Sequence, residues 1–122
     1  MITYTILAEK GIVIIEPLRP IRQSDLEPLT KDIDNYIRQK GMIRGLIIQT
    51  ESFPAWDGFR AFIKDMKFVI NHHKKIYRVA SVTDSKLFMI AHSIMRHLLF
   101  PEIKHFYYGD REAAIKWIQE RP

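Results

Sequence analysis

Five histidines, no cysteine and one acidic-aromatic junction are where this 122-residue chain could do chemistry. The histidines are His72, His73, His92, His97 and His105. His72 and His73 are adjacent, so their side chains diverge on a helix or a strand. His92 and His97 are five apart, whereas a same-face zinc pair on a helix needs a spacing of four. The spacing therefore gives no metal site. No G-x-S-x-G elbow, no G-x-x-x-x-G-K phosphate loop and no G-x-G-x-x-G is present, and the five glycines are not clustered. No cofactor is implied. His92 falls beside the apolar side of its predicted helix. It reads either as a satisfied boundary histidine or as a base awaiting a serine or carboxylate partner.

The second feature is TESFPAWDGF, residues 50–59. It leaves an apolar run and enters a predicted helix that carries Phe59, Phe62 and Ile63. Asp57 sits where a helix begins, and a carboxylate there accepts backbone N–H groups at the positive dipole end. Gly58 permits close approach of the chain, and Trp56 can fold over the loop. The trio reads as a helix cap. It also reads as a binding or switch site, because loops after parallel strands are common ligand positions.

The helix predicted over 85–100 adds a third. Leu87, Ile90, Ala91, Ile94 and Leu98 form one stripe that suffices for packing on a sheet. Phe88, Met95 and Leu99 form a second stripe about 100° away. A neighbouring helix, a second subunit or an apolar ligand such as a lipid could cover it, and methionine adapts well to such surfaces.

These residues need a frame. Residues 3–8 and 12–16 read as strands joined through Glu9-Lys10-Gly11, a hairpin signal. Ser24-Asp25-Leu26-Glu27 is a capping box. Leu26, Leu29, Ile33 and Ile37 follow at helical spacing, Pro28 falls in the first turn, and Gly41 is placed as the stop. Residues 44–50 are a short apolar run of the kind a doubly buried strand shows. Strands are predicted at 75–83 and 103–108. The closing helix follows Gly109-Asp110, with Ala114, Trp117 and Ile118 facing inward. The order β-β-α-β-α-β-α-β-α predicts a mainly parallel sheet with one antiparallel edge strand in a single α/β domain over 1–122.

Composition bounds the classes. Apolar residues make up 47 % and charged ones 27 %, ordinary for a globular domain. Net charge is +5, but the cations are scattered and no base-reading motif accompanies them. No nucleic-acid partner is expected. The first seventeen residues lack the pattern of a secretory signal, and no run reaches the roughly 20 apolar residues of a transmembrane helix. A cytoplasmic protein is expected.

Four segments carry a family resemblance: Phe53-Pro54-Ala55-Trp56, Lys67-Phe68-Val69-Ile70-Asn71-His72, Arg78-Val79-Ala80-Ser81-Val82, and the close from Phe106 through Ala114 to Trp117-Ile118. Their order resembles the STAS fold of SpoIIAA-like anti-sigma-factor antagonists, and more closely a bacterial SpoIIAA-like branch of the STAS/SEC14-like superfamily. Antagonists of that family carry a D-S-S-G segment at this junction, whose second serine is phosphorylated. Laid without gaps on this chain, that serine falls on Asp57, the glycine on Gly58 and the acidic residue on Ala55. The resemblance thus implies a domain that has lost the phosphoacceptor. SEC14-like relatives bind lipids, which suits the second stripe.

The sequence therefore points to a non-enzymatic binding or regulatory domain for an apolar small molecule, a lipid or a protein partner, with a homodimer as a further possibility. Its candidate site residues are Trp56, Asp57, Gly58, Phe88, His92, Met95 and Leu99. The alternative is a small hydrolase or transferase using His92 or Asp57.

Overall fold

The computed structural model describes residues 2–17, 23–51, 76–84 and 102–120. Five strands form one sheet in chain order: β1 (Ile2–Leu7), β2 (Ile12–Pro17), β3 (Ile43–Gln49), β4 (Ile76–Val82) and β5 (Glu102–Phe106). β1 pairs antiparallel with β2, and every later pairing is parallel. The helices among the described residues are α1 (Gln23–Lys40) and α2 (Arg111–Gln119). The predicted fold class is the observed one. The helices expected over 58–70 and 85–100 lie outside the described residues.

Two glycines set the connections. Gly11, at φ 69°, closes the turn that receives β1, with the Lys10 and Gly11 amides donating to the Leu7 carbonyl at 3.0 and 2.9 Å. The Gly11 carbonyl then accepts from Arg44 N at 2.9 Å, tying the turn to β3. Gly41, at φ 89°, stops α1 and donates to the Ile37 carbonyl at 2.7 Å. Both positions need the left-handed backbone that glycine adopts without a Cβ clash.

Strand alternation divides the sheet into two buried faces. One face carries Ile12, Ile14, Ile47, Ala80 and Val82, which form a cluster with Ala114, Ile115, Trp117 and Ile118 of α2. The expected inward residues of α2 are inward, and Ile115 joins them. The opposite face carries Val13, Ile15, Leu46, Ile48 and Val79, and Leu29 and Ile33 of α1 are also fully buried. Tyr4 is the register partner of Ile15, and its hydroxyl donates to Asp32 Oδ2 at 2.6 Å, so α1 covers that second face. The Tyr36 hydroxyl donates to the Ala8 carbonyl at 2.7 Å and fixes the other end of the helix. β3 is buried on both faces from Gly45 to Ile48, as its unbroken apolar run requires.

Gly45 is demanded by close approach. A Cβ there would lie 2.4 Å from Cγ2 of Ile118. Its absence lets α2 settle on β3.

Three local expectations need correction. α1 begins at Gln23, so Pro28 lies inside the helix rather than in its first turn, and its missing donor removes one intrahelical bond. Ser24 is likewise within the helix rather than before it, and the side chains of 23–26 are outside the described residues. β5 ends at Phe106 instead of Tyr108. The chain turns there because Tyr108 N donates to Asp84 Oδ1 at 3.0 Å and Asp110 N to the Tyr107 carbonyl at 2.9 Å.

Candidate functional site

The carboxyl ends of β3, β4 and β5 form one edge of the parallel sheet, the usual position for ligands in such folds. Pairing continues past the strands: Thr50 N donates to the Val82 carbonyl at 3.1 Å, and Thr83 N to the Phe106 carbonyl at 2.9 Å. Both threonines are buried. The edge is thus a hydrogen-bonded ledge, and the 50–58 junction starts from it.

On the ledge, His105 Nε2 donates to the Thr83 carbonyl at 2.8 Å. Its ring meets Tyr107 edge-on, with centroids 5.6 Å apart. This hydrogen bond commits His105 to structure. Tyr107 is 63 % exposed and Tyr108 36 %, so two aromatic rings stand on the carboxyl edge in contact with solvent. On the α2 face, Gln49 follows Ile47 and is the register partner of Val82 of β4. Gln49 Oε1 is buried and has no hydrogen-bond partner. Glu16 pairs with Arg111 at 3.7 Å.

The amino edge is built differently. Arg78 of β4 donates to the carbonyls of Trp117 and of Glu120, the latter at 3.2 Å. Its Nε lies 3.3 Å from Glu102, and its guanidinium stands 4.9 Å from the Trp117 ring centre. Those carbonyls lie in the last turn and cap of α2; the Trp117 carbonyl also accepts from Glu120 N at 3.2 Å, so Arg78 is its second donor. An open depression of about 590 Å³ lies here, lined by Met42, Arg44, Tyr77, Arg78, Glu102, Ile118 and Glu120. By strand alternation Arg44 and Tyr77 belong to the face opposite Arg78, so this depression straddles the sheet end.

None of the site residues expected from sequence falls in the described part. Trp56, Asp57 and Gly58 lie in the segment after Glu51, and Phe88, His92, Met95 and Leu99 in the segment between Asp84 and Glu102. Those two segments depart from the ledge at Glu51 and at Asp84. Sequence reasoning missed Tyr107 and Tyr108 because it placed them inside a strand. An aromatic pair followed by Gly109-Asp110 was the available turn signal.

A family model described as SpoIIAA-like matches residues 12–119. The chain belongs to the SpoIIAA-like family. No curated protein and no solved structure matches it. The structure explains two pieces of the SpoIIAA-like pattern in this chain. Arg78 of the R-x-A-x-V strand and Trp117 of the closing helix are one packed unit, and Ala80 and Ala114 share the core cluster beside it. Among the described residues, no group of three or more His, Asp or Glu could hold a metal ion, and no helix is long and apolar enough to cross a membrane.

Proposed function

We propose that this SpoIIAA-like chain is a single non-enzymatic regulatory domain that binds a protein partner through the carboxyl edge of its sheet. The supporting observation is the exposed pair Tyr107 and Tyr108 on the hydrogen-bonded ledge from which the 50–58 junction departs. Tyrosine supplies a large amphipathic contact at low entropic cost, and it is enriched at interface hot spots. Trp56, Asp57 and Gly58 complete that surface in this reading. With aspartate at the position the family's serine would occupy, the domain binds without a reversible phosphate switch, in the cytoplasm.

A second occupant is favoured by the stripe of Phe88, Met95 and Leu99, which suits an apolar small molecule or lipid beside His92. Native mass spectrometry of protein purified from its own host separates the two. A bound protein lost in Tyr107→Ser/Tyr108→Ser supports the first reading. A small apolar mass extracted by organic solvent, unaffected by those substitutions, supports the second. Turnover of an ester or acyl substrate that His92→Ala or Asp57→Ala abolishes would replace both with the hydrolase or transferase alternative.

A further inference from the structure

Among the described residues the sheet has two edge strands, β1 and β5, and they are protected unequally. β5 carries exposed Glu102 and Lys104, and its His105 ring is tied to the Thr83 carbonyl. Charges on an edge strand discourage pairing with another chain. β1 reads ITYTIL, with no charge, no proline and no glycine over six residues. It also precedes the family-matched span, which begins at residue 12.

The backbone of β1 shows which groups are free to pair. The Leu7 carbonyl accepts from the turn amides on the β2 side, and the Glu16 carbonyl accepts from Thr3 Oγ1 at 3.3 Å on the β1 side. In an antiparallel ladder the N–H and C=O of successive residues point alternately in and out. Thr3, Thr5 and Leu7 therefore bond toward β2. Ile2, Tyr4 and Ile6 turn their backbone groups outward, where no strand pairs among the described residues.

We propose that β1 pairs antiparallel with β1 of a second copy across a two-fold axis at Tyr4. Two five-stranded sheets then become one continuous sheet. Two constraints select this register. Directly opposed residues must lie on the same face, or each buried face would meet an exposed one, so the residue numbers of every pair sum to an even number. All three outward residues are used when Ile2 faces Ile6 of the second copy and Tyr4 faces Tyr4. A shift of the axis to Thr5 would leave Ile2 unpaired. The contact is isologous and closes as a dimer rather than a fibre. Thr3 then faces Thr5 of the second copy, a favourable cross-strand pair, and no like charges are opposed anywhere along the strand.

Thr3 and Thr5 are exposed in the single chain, so their substitution tests the contact without touching the core. Sedimentation equilibrium of the full chain should show a dimer. Thr3→Lys/Thr5→Lys opposes four lysines across the axis and should weaken that dimer roughly tenfold or more, with the monomer still folded. Mixing it with Thr3→Glu/Thr5→Glu should restore a one-to-one heterodimer. The chain contains no cysteine. Thr3→Cys/Thr5→Cys should therefore oxidise to a covalent dimer while either single variant does not, because opposed residues in a non-hydrogen-bonded pair lie within disulfide reach. A monomer at every soluble concentration overturns the proposal. So does a dimer indifferent to the lysine variant, or a foreign protein found on β1 and released by that variant. Substitutions at Tyr107 and Tyr108 should leave the dimer intact, so failure here and failure of the carboxyl-edge reading are separate results.

Discussion

The Arg78 guanidinium stacks 4.9 Å from the centre of the Trp117 ring while donating to the Trp117 carbonyl. One side chain on β4 therefore holds both the aromatic anchor of α2 and two carbonyls at its C-terminal end. Glu102 of β5, at 3.3 Å, balances the charge. The cation also meets the negative end of the helix dipole. Three elements far apart in sequence are locked at one point on the amino edge.

Arg78→Ala should lower the unfolding free energy by about 2 kcal/mol, because charge-assisted hydrogen bonds and the ring contact are lost together. Arg78→Lys should recover less than half of that loss. Lysine keeps the charge but lacks the planar fork that reaches two carbonyls and a carboxylate at once. Urea denaturation of the three proteins checks the order. Equal stability of the lysine variant and the parent would show that charge alone matters.

Gly45→Ala should cost about 1–3 kcal/mol, the range for overpacking a dense core. The new methyl would lie 2.4 Å from Ile118 Cγ2 and 2.6 Å from its Cδ1, atoms that clear it only if the β-branched side chain leaves its rotamer. In an Ile118→Ala background the same substitution should be much less costly. That non-additivity, read from a double-mutant cycle, identifies the contact. Additive effects would mean that the cost of Gly45→Ala arises in the strand backbone.

The Tyr4 hydroxyl donates to Asp32, and that hydrogen bond, with burial and the carboxylate charge, raises the Tyr4 pKa above its ordinary value of 10.0. The protonated phenol is therefore favoured by folding. Its contribution is complete below the unfolded-state pKa near 10 and is lost as pH rises through the higher folded value. The stability advantage of the parent over Tyr4→Phe should hold constant from neutral pH to about 10 and shrink above it. An advantage that grows with pH would reverse the assignment.

Much of this fold was legible because its signals are local. Gly11 and Gly41 mark left-handed turns, and β3 declares double burial through an unbroken apolar run. The period of Ala114, Trp117 and Ile118 gives the inward side of α2. What stayed hidden is tertiary. Arg78 lies 39 residues from Trp117, and nothing in either segment names the other. β5 ends early because Asp84, on a different strand connection, captures the Tyr108 amide. Tyr107 and Tyr108 show the same limit: their types suited a strand, and only the turn beyond Phe106 puts them on the surface. The site residues from Trp56 to Gly58 and from Phe88 to Leu99 rest on sequence patterns, and the structure contributes the ledge from which their segments start.

Asp57 separates the two readings of the junction. As a helix cap, its carboxylate accepts backbone N–H groups, so Asp57→Asn should be nearly neutral and Asp57→Ala should cost about 1 kcal/mol. As a recognition residue, its charge is read by the partner. Asp57→Asn should then leave stability unchanged while weakening the complex. Thermal unfolding of the isolated domain and native mass spectrometry of the complex measure the two effects separately. An alanine variant as stable as the parent removes the cap. An asparagine variant that still holds the partner removes the charge from recognition, and leaves Trp56 with Tyr107 and Tyr108 as the contacts to test next.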